Sequence, residues 1–150
     1  MRSRFQKVMK NQKGMTLVEL LAVIVILAIV TAIAVPSISG IISKSKDDAQ
    51  RSNALMIINA AKLAVVSNND TIVNAIKSDN GVSLSTLVSQ GYLDAVPQDP
   101  DKKGSTYNGD KSFVKLDGNR VYSIVLYAQD GTTKREKGSG TEAQLNGAAN

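Results

Sequence analysis

Few side chains in this sequence could carry out catalytic chemistry. The sequence contains no histidine and no cysteine, which removes the commonest general base, the commonest metal ligand and every Ser/His or Cys/His nucleophile pair. One acid, Glu19, stands inside the otherwise apolar run MTLVELLAVIVILAIVTAIAV, with no second acid nearby that could form a pair of catalytic carboxylates. The composition therefore predicts that the protein is not an enzyme, and Glu19 needs another explanation.

The net charge of +5 comes from the N-terminal segment. Residues 1–14 carry five basic residues and no acid, whereas the rest of the chain carries 13 basic and 13 acidic residues. A basic segment before an apolar span is typical of a topogenic signal that keeps the N-terminus in the cytoplasm. A nucleic-acid-binding arm is disfavoured because Phe5 is the only aromatic residue in this segment. We expect no direct binding to nucleic acid from the formally neutral remainder.

The elements that position Glu19 begin with the apolar run at residues 15–35. As a helix this run would extend roughly 30 Å, which matches the hydrocarbon core of a bilayer. Pro36 and Gly40 follow closely, so we expect a kink or local melting of the helix there. Residues 36–68 show apolar residues at largely helical spacing with charges between them, which predicts an amphipathic second half of the same helix, ending near Asn68.

Residues 69–137 are expected to form a small globular head. The stretch VSLSTLVSQGYL predicts a short helix with Ser83 as its N-cap and Gly91 as its stop. KSFVKL and RVYSIVLYA predict two strands joined by a hairpin turn at residues 117–119, and QDGTTKREKG is a candidate third strand.

The remaining residues, 138–150, read GSGTEAQLNGAAN, a composition typical of a disordered tail. The predicted fold class is therefore α+β: a long N-terminal helix, half membrane-spanning and half amphipathic, packed on a small antiparallel sheet.

The stretch KGMTLVELLAVIVILAIVTAIAVP resembles the N-terminal signature of type IV pilins and the related pseudopilins. In that signature a short basic leader ends in glycine, an acid stands at the fifth mature residue, and a long apolar helix is interrupted by proline. The resemblance implies that residues 1–14 are a leader peptide, that a prepilin peptidase cuts after Gly14 and N-methylates Met15, and that Glu19 acts in assembly. Two departures stand out: the family most often has Phe where this chain has Met15, and the cysteine pair that closes the C-terminal loop in many members is absent.

The resemblance further implies a structural role, most like that of a major type IV pilin. Such a subunit is held in the cytoplasmic membrane by one span, with its N-terminus cytoplasmic, and is then polymerised through its apolar helix into a filament at the cell surface. The implied partners are the peptidase, an inner-membrane assembly platform with its ATPase, and copies of the same chain.

A physical account of Glu19 follows from the implied cut. A charged side chain inside a bilayer is unfavourable by about 2.5 to 3.5 kcal/mol on insertion scales, so an acid there should have a partner. Cleavage after Gly14 would create one, the α-amine of Met15. The amine could belong to a neighbouring subunit, which would set the axial register of a filament. Alternatively, Glu19 could be satisfied at the start of its own helix.

Two other interpretations of the whole chain remain open. One is a pseudopilin of a type II secretion system or of a competence system for DNA uptake. The other is a secreted or membrane-anchored binding protein with an ordinary signal peptide cut before Val35, although the apolar run is longer than the usual 7 to 15 residues of such a peptide.

A metal site is the last candidate. Four aspartates lie in a loop-rich region where oxygen ligands could gather around calcium, and related pseudopilins bind calcium in a comparable loop. Their spacing matches no EF-hand, and loop aspartates usually make turns. We therefore expect no cofactor, with calcium as the alternative. The candidate ligands are Asp99 and Asp101, with Asp110 and Asp117 further along the chain.

Overall fold

The structure is a computed structural model that describes residues 16–117 and 121–147. Its helices are α1 (Leu17–Val66), α2 (Asp70–Ile76), α3 (Leu84–Ser89) and α4 (Glu142–Gly147). Its strands are β1 (Val82–Ser83), β2 (Phe113–Leu116), β3 (Tyr122–Val125) and β4 (Gly140–Thr141), and a 3-10 helix spans Glu136–Gly138. The four strands form one antiparallel sheet in the order β1-β2-β3-β4. The α+β prediction is confirmed.

Helix α1 continues through Pro36 and Gly40 without interruption. The expected local melting is therefore absent from this single chain, whereas a kink at this point and melting within a filament stay predictions. Proline removes one backbone hydrogen bond and glycine is a weak helix former, but neither outweighs the helix-forming runs on both sides. The hydroxyl of Ser39 donates to the carbonyl of Val35 at 3.0 Å, so the backbone next to Pro36 keeps an additional hydrogen bond.

Two compact units divide the chain after Ile42. In the first unit, the large apolar side chains of α1 from Leu17 to Ile42 are exposed. In the second unit, α1 is amphipathic, and its buried face begins at Gln50. That face packs on the apolar sides of the sheet and the short helices. The core includes Ala54, Ile57, Ile58, Ala61, Ala64, Ile72, Ile76, Leu84, Leu87, Val114, Ile124 and Leu126.

The end of α1 has a clear local cause. The helix stops at Val66, two residues before the expected end, and Asn68 has a left-handed backbone with φ 53°. Asn69 then caps α2, since its side-chain oxygen accepts a hydrogen bond from the backbone N–H of Ile72 at 3.2 Å. The polar stretch SNND is thus both the stop of one helix and the start of the next.

The predicted short helix and hairpin are also confirmed. Ser83 caps α3 by accepting from the N–H of Thr86 at 3.2 Å, and Gly91 follows the helix with φ 77°. Strands β2 and β3 pair from Phe113 opposite Val125 to Leu116 opposite Tyr122. Residues 118 and 119 of the expected turn lie outside the described residues.

The expected third strand at residues 129–138 is wrong. Asp130 folds this segment into a tight turn, because its carboxylate accepts hydrogen bonds from the N–H groups of Thr132 and Thr133. These hydrogen bonds hold the pKa of Asp130 well below its ordinary value. An isolated bridge between Tyr127 and Lys134 follows the turn, and the 3-10 helix comes next.

The expected disordered tail at 138–150 is wrong for residues 138–147. Strand β4 adds to the edge of the sheet, with Thr141 opposite Ser123 and Gly140 opposite Ile124. Helix α4 then places Leu145, 4% exposed, in the core. One apolar side chain and two paired residues order this polar segment. Residues 148–150 lie outside the described residues.

Candidate assembly site

The first turn of α1 holds the Glu19 carboxylate. Glu19 Oε2 accepts two hydrogen bonds from Thr16, one from the backbone N–H at 2.8 Å and one from the hydroxyl at 3.0 Å. The backbone N–H of Glu19 in turn approaches the Thr16 hydroxyl oxygen at 3.3 Å. This reciprocal pattern is a capping box, in which a Thr and a Glu three residues apart satisfy the free N–H groups of a helix start.

The capping box is the part of the site that sequence reasoning missed. The expectation that Glu19 could be satisfied at its own helix start is confirmed for the single chain, and Thr16 is the residue that does it. The signal was present in the spacing T-L-V-E. Both hydrogen bonds use one oxygen, and of the described residues none donates to Glu19 Oε1. The second oxygen can therefore accept a further donor.

The surroundings of Glu19 are apolar. It is the only charged residue between residues 17 and 42, and its neighbours Leu17, Val18, Leu20 and Leu21 are between 52% and 82% exposed. Of the described helices, α1 is the one long and apolar enough to cross a membrane, by length and composition. A carboxylate in this setting has a strong electrostatic preference for a cationic partner once water is excluded.

Two of the predicted site residues cannot be placed. Gly14 and Met15, the expected cleavage and methylation positions, lie outside the described residues. Cleavage after Gly14, methylation of Met15 and pairing of the new amine with Glu19 stay predictions.

The predicted calcium ligands do not gather around one point. Asp99 and Asp101 lie together. The backbone N–H of Asp110 instead donates to the side-chain oxygen of Asn108, and the backbone N–H of Asp117 donates to the carbonyl of Val121 at the end of the β2–β3 hairpin. Among the residues the structure describes, no group of three acidic, histidine or cysteine side chains could hold a metal ion.

Arg135 is the partner of the two neighbouring aspartates. Its Nε donates to Asp99 Oδ2 at 2.8 Å, its Nη2 donates to the same oxygen, and its Nη1 lies 3.5 Å from Asp101 Oδ2. The Asp99 side chain is 0% exposed. Burial alone would lower the pKa of Arg135, but the hydrogen bonds and charge of Asp99 raise it above its ordinary value. No local sequence pattern identifies this pair, since 36 residues separate the partners.

Other contacts attach the C-terminal segment to α1 without a disulfide. Lys62 Nζ forms an ion pair with Glu142 Oε1 at 2.5 Å, and the same ammonium lies 5.3 Å from the centre of the Tyr122 ring. Gly138 sits so close to α1 and the sheet that an added Cβ would lie 3.2 Å from the carbonyl oxygen of Gln50. These contacts hold the C-terminal segment in a chain that has no cysteine pair to close it.

Fold and site together define a class of proteins: a membrane-length apolar helix with an acid in its first turn, continued as an amphipathic helix that carries a small α+β head. Comparison with known proteins gives the family. The model of the "Prokaryotic N-terminal methylation motif" matches residues 9–35. The type II secretion system core protein G of Aeromonas hydrophila is 31% identical in an alignment of 136 residues, and the match covers 82% of this chain and 89% of that protein. No solved structure matches. The chain belongs to the type IV pilin and pseudopilin family, as its sequence predicted.

Proposed function

We propose that this protein is a non-enzymatic filament subunit of the pseudopilin type. A prepilin peptidase removes residues 1–14 and methylates Met15. The apolar part of α1 then anchors the subunit in the cytoplasmic membrane before assembly. An assembly platform and its ATPase extract it and add it to a filament of identical chains. The similarity to a type II secretion protein along most of that protein's length favours a secretion-type filament over the major type IV pilin that the sequence alone suggested.

The observation that carries the proposal is the exposure of α1 between residues 17 and 42. Apolar side chains cover this part of the helix on all sides, and none of the large ones is buried within the described chain. About 26 residues of such helix extend roughly 39 Å, which is somewhat longer than a bilayer core. A surface of this kind is stable only in lipid or against other apolar helices, and a filament supplies the second environment after the membrane supplies the first.

The test of processing is the intact mass of the protein extracted from membranes. We expect a chain that begins at Met15 and carries one added methyl group. The variant Gly14→Leu should keep its leader. The matched control is Gly40→Leu, because a Cβ at Gly40 meets nothing within 4 Å, and it should be processed normally. A mature chain that begins at Val35 would overturn the proposal in favour of an ordinary signal peptide.

The test of filament type is electron microscopy combined with a secretion assay. A pseudopilus predicts few fibres in the sheared surface fraction and a loss of secreted protein when the subunit is deleted. Abundant sheared fibres with unchanged secretion would instead assign the subunit to a surface type IV pilus, and the processing result would stand in both cases.

A further inference from the structure

The aspartate pair that the sequence offered as a calcium site already has a cation. Both oxygens of Asp99 are in use: Oδ2 accepts from two nitrogens of Arg135, and Oδ1 accepts from the backbone N–H of Asp101 at 3.0 Å. Asp101 Oδ2 accepts from the Gln50 side-chain amide at 2.6 Å. Calcium takes six to eight oxygen ligands, and this cluster leaves too few free. The residues present do not fit the metal.

Charge leads to the same conclusion. A dication close enough to bind both carboxylates would also lie close to the Arg135 guanidinium, in a place where the Asp99 side chain is 0% exposed and water screens little. Like charges repel strongly in such a setting. The buried Gln50 Oε1 has no hydrogen-bond partner within the described residues, but this single oxygen does not supply the set of ligands that calcium needs.

We propose that the Arg135 guanidinium, and not a calcium ion, is the cation that Asp99 and Asp101 bind, so that the subunit folds and keeps its stability independently of calcium. This inference goes beyond the proposed filament role and does not depend on it.

The geometry explains how one side chain can serve this purpose. Arg135 is fixed by its own backbone, whose N–H donates to the carbonyl of Leu126 at 2.8 Å beside the sheet. Its guanidinium lies against the loop at residues 97–107, near Asp101 Oδ2. The same Asp101 oxygen accepts a hydrogen bond from the side-chain amide of Gln50 in α1. Three segments distant in the sequence are joined at one point. Arginine suits this position because its planar guanidinium carries several donors, two of which donate to Asp99 Oδ2 while a third lies near Asp101 Oδ2, and because its charge is permanent.

The experiment uses the full chain in detergent micelles. Thermal unfolding is followed by circular dichroism in excess EGTA and in excess calcium chloride, and calcium binding is titrated by calorimetry. We expect the same Tm in both conditions and no binding isotherm. A true site saturated about a hundredfold above its Kd would raise the Tm by about 10 °C or more. Such a rise, or a one-site isotherm, would overturn the inference.

Variants test the role of the guanidinium directly. Arg135→Gln leaves a buried carboxylate without its counter-charge, and we expect its Tm to fall by about 10 °C or more. The matched control is Lys134→Gln, the adjacent cation, whose ion pair with Glu136 at 3.4 Å lies at the surface; it should lower the Tm by only a few degrees.

A second variant keeps the test decisive if Arg135→Gln does not fold. Arg135→Lys retains the charge but loses the planar fork, and its Tm is expected to fall by at least twice as much as that of Lys134→Gln. If neither Arg135 variant is less stable than the control, the guanidinium does not hold the loop and the inference is wrong.

Discussion

Replacing Glu19 by glutamine separates the two roles that the carboxylate can have. In the single chain Glu19 closes a capping box with Thr16. In a filament it could also neutralise the amine that cleavage creates on a neighbouring Met15. Glutamine is an accepted partner in a capping box but carries no charge. Glu19→Gln therefore keeps the first role and removes the second.

The magnitudes of the two effects differ enough to be distinguished. Loss of a cap costs about 0.5–2 kcal/mol. An amine left in an apolar helix bundle without its counter-charge costs about 3–5 kcal/mol. If the amine pairs with Glu19, each addition of a Glu19→Gln subunit should therefore be weaker by at least about a hundredfold. If the carboxylate only caps its own helix, Glu19→Gln should assemble almost normally.

Thr16→Val is the matched opposite variant. It removes the hydroxyl that donates to Glu19 Oε2 at 3.0 Å, keeps a side chain of similar shape, and leaves the carboxylate charged. Its expected cost is that of a weakened cap, about 1 kcal/mol, or about a fivefold loss in subunit addition. The pairing hypothesis thus predicts a large defect for Glu19→Gln and a small one for Thr16→Val.

The assay expresses each variant with the native assembly machinery. Intact mass first verifies that the leader has been removed, since neither change touches the expected cut after Gly14. Filament yield is then measured in the sheared and cross-linked fractions, and wild-type subunits are mixed in to ask whether the variant enters their filaments. Normal yield from Glu19→Gln together with a large loss from Thr16→Val would refute the pairing and leave the capping box as the whole explanation.

Three other predictions concern Gly138, Tyr107 and the helix near Pro36. Gly138→Ala should lower the free energy of unfolding by about 1–3 kcal/mol, since the new Cβ would lie 2.8 Å from Leu126 Cδ1. The control is Gly147→Ala, where a Cβ meets nothing within 4 Å; it should leave the urea denaturation curve unchanged. Burial raises the pKa of Tyr107 to about 12 from 10.0. The neutral phenol therefore contributes about 2–3 kcal/mol of stability below about pH 10, and this contribution is lost as the pH rises toward 12. In pH-dependent unfolding curves, Tyr107→Phe should flatten this alkaline loss. In the assembled filament, the helix between about Val35 and Gly40 should be at least partly unwound, although α1 is continuous in the single chain. A filament map with unbroken helical density there would contradict this.

Much of the fold was predictable because its signals are local. The apolar run and the helical spacing that follows specify α1, and Ser83 and the alternating β-branched strands specify a cap and a hairpin within a few residues of chain. The tail was not predictable, because its order depends on pairing with β3 and on one buried side chain, Leu145. A polar composition gives no indication that a distant sheet edge is free to accept such a segment.

At Pro36, a local signal in the sequence was not enough to predict the structure, because α1 is continuous there. Proline and glycine do weaken a helix, but the sequence rule gives only the local free-energy cost. Whether that cost breaks the helix depends on what else competes for the backbone. In the single chain Ile38 is exposed and nothing lies within 4 Å of a Cβ built at Gly40; in the proposed filament, we expect neighbouring helices to compete for this stretch.

The two charged positions show why one partner could be found from the sequence and the other could not. Both side chains are acids that require a donor or a cation once they are removed from water. For Glu19 the donor is Thr16, three residues away, and the spacing alone identifies it. For Asp99 the cation is Arg135, 36 residues away, and a sequence rule that considers only neighbouring oxygens proposes a metal instead. Acidic loops in other members of the family that carry an arginine in the same C-terminal segment should therefore be tested for an internal cation before a bound ion is assumed.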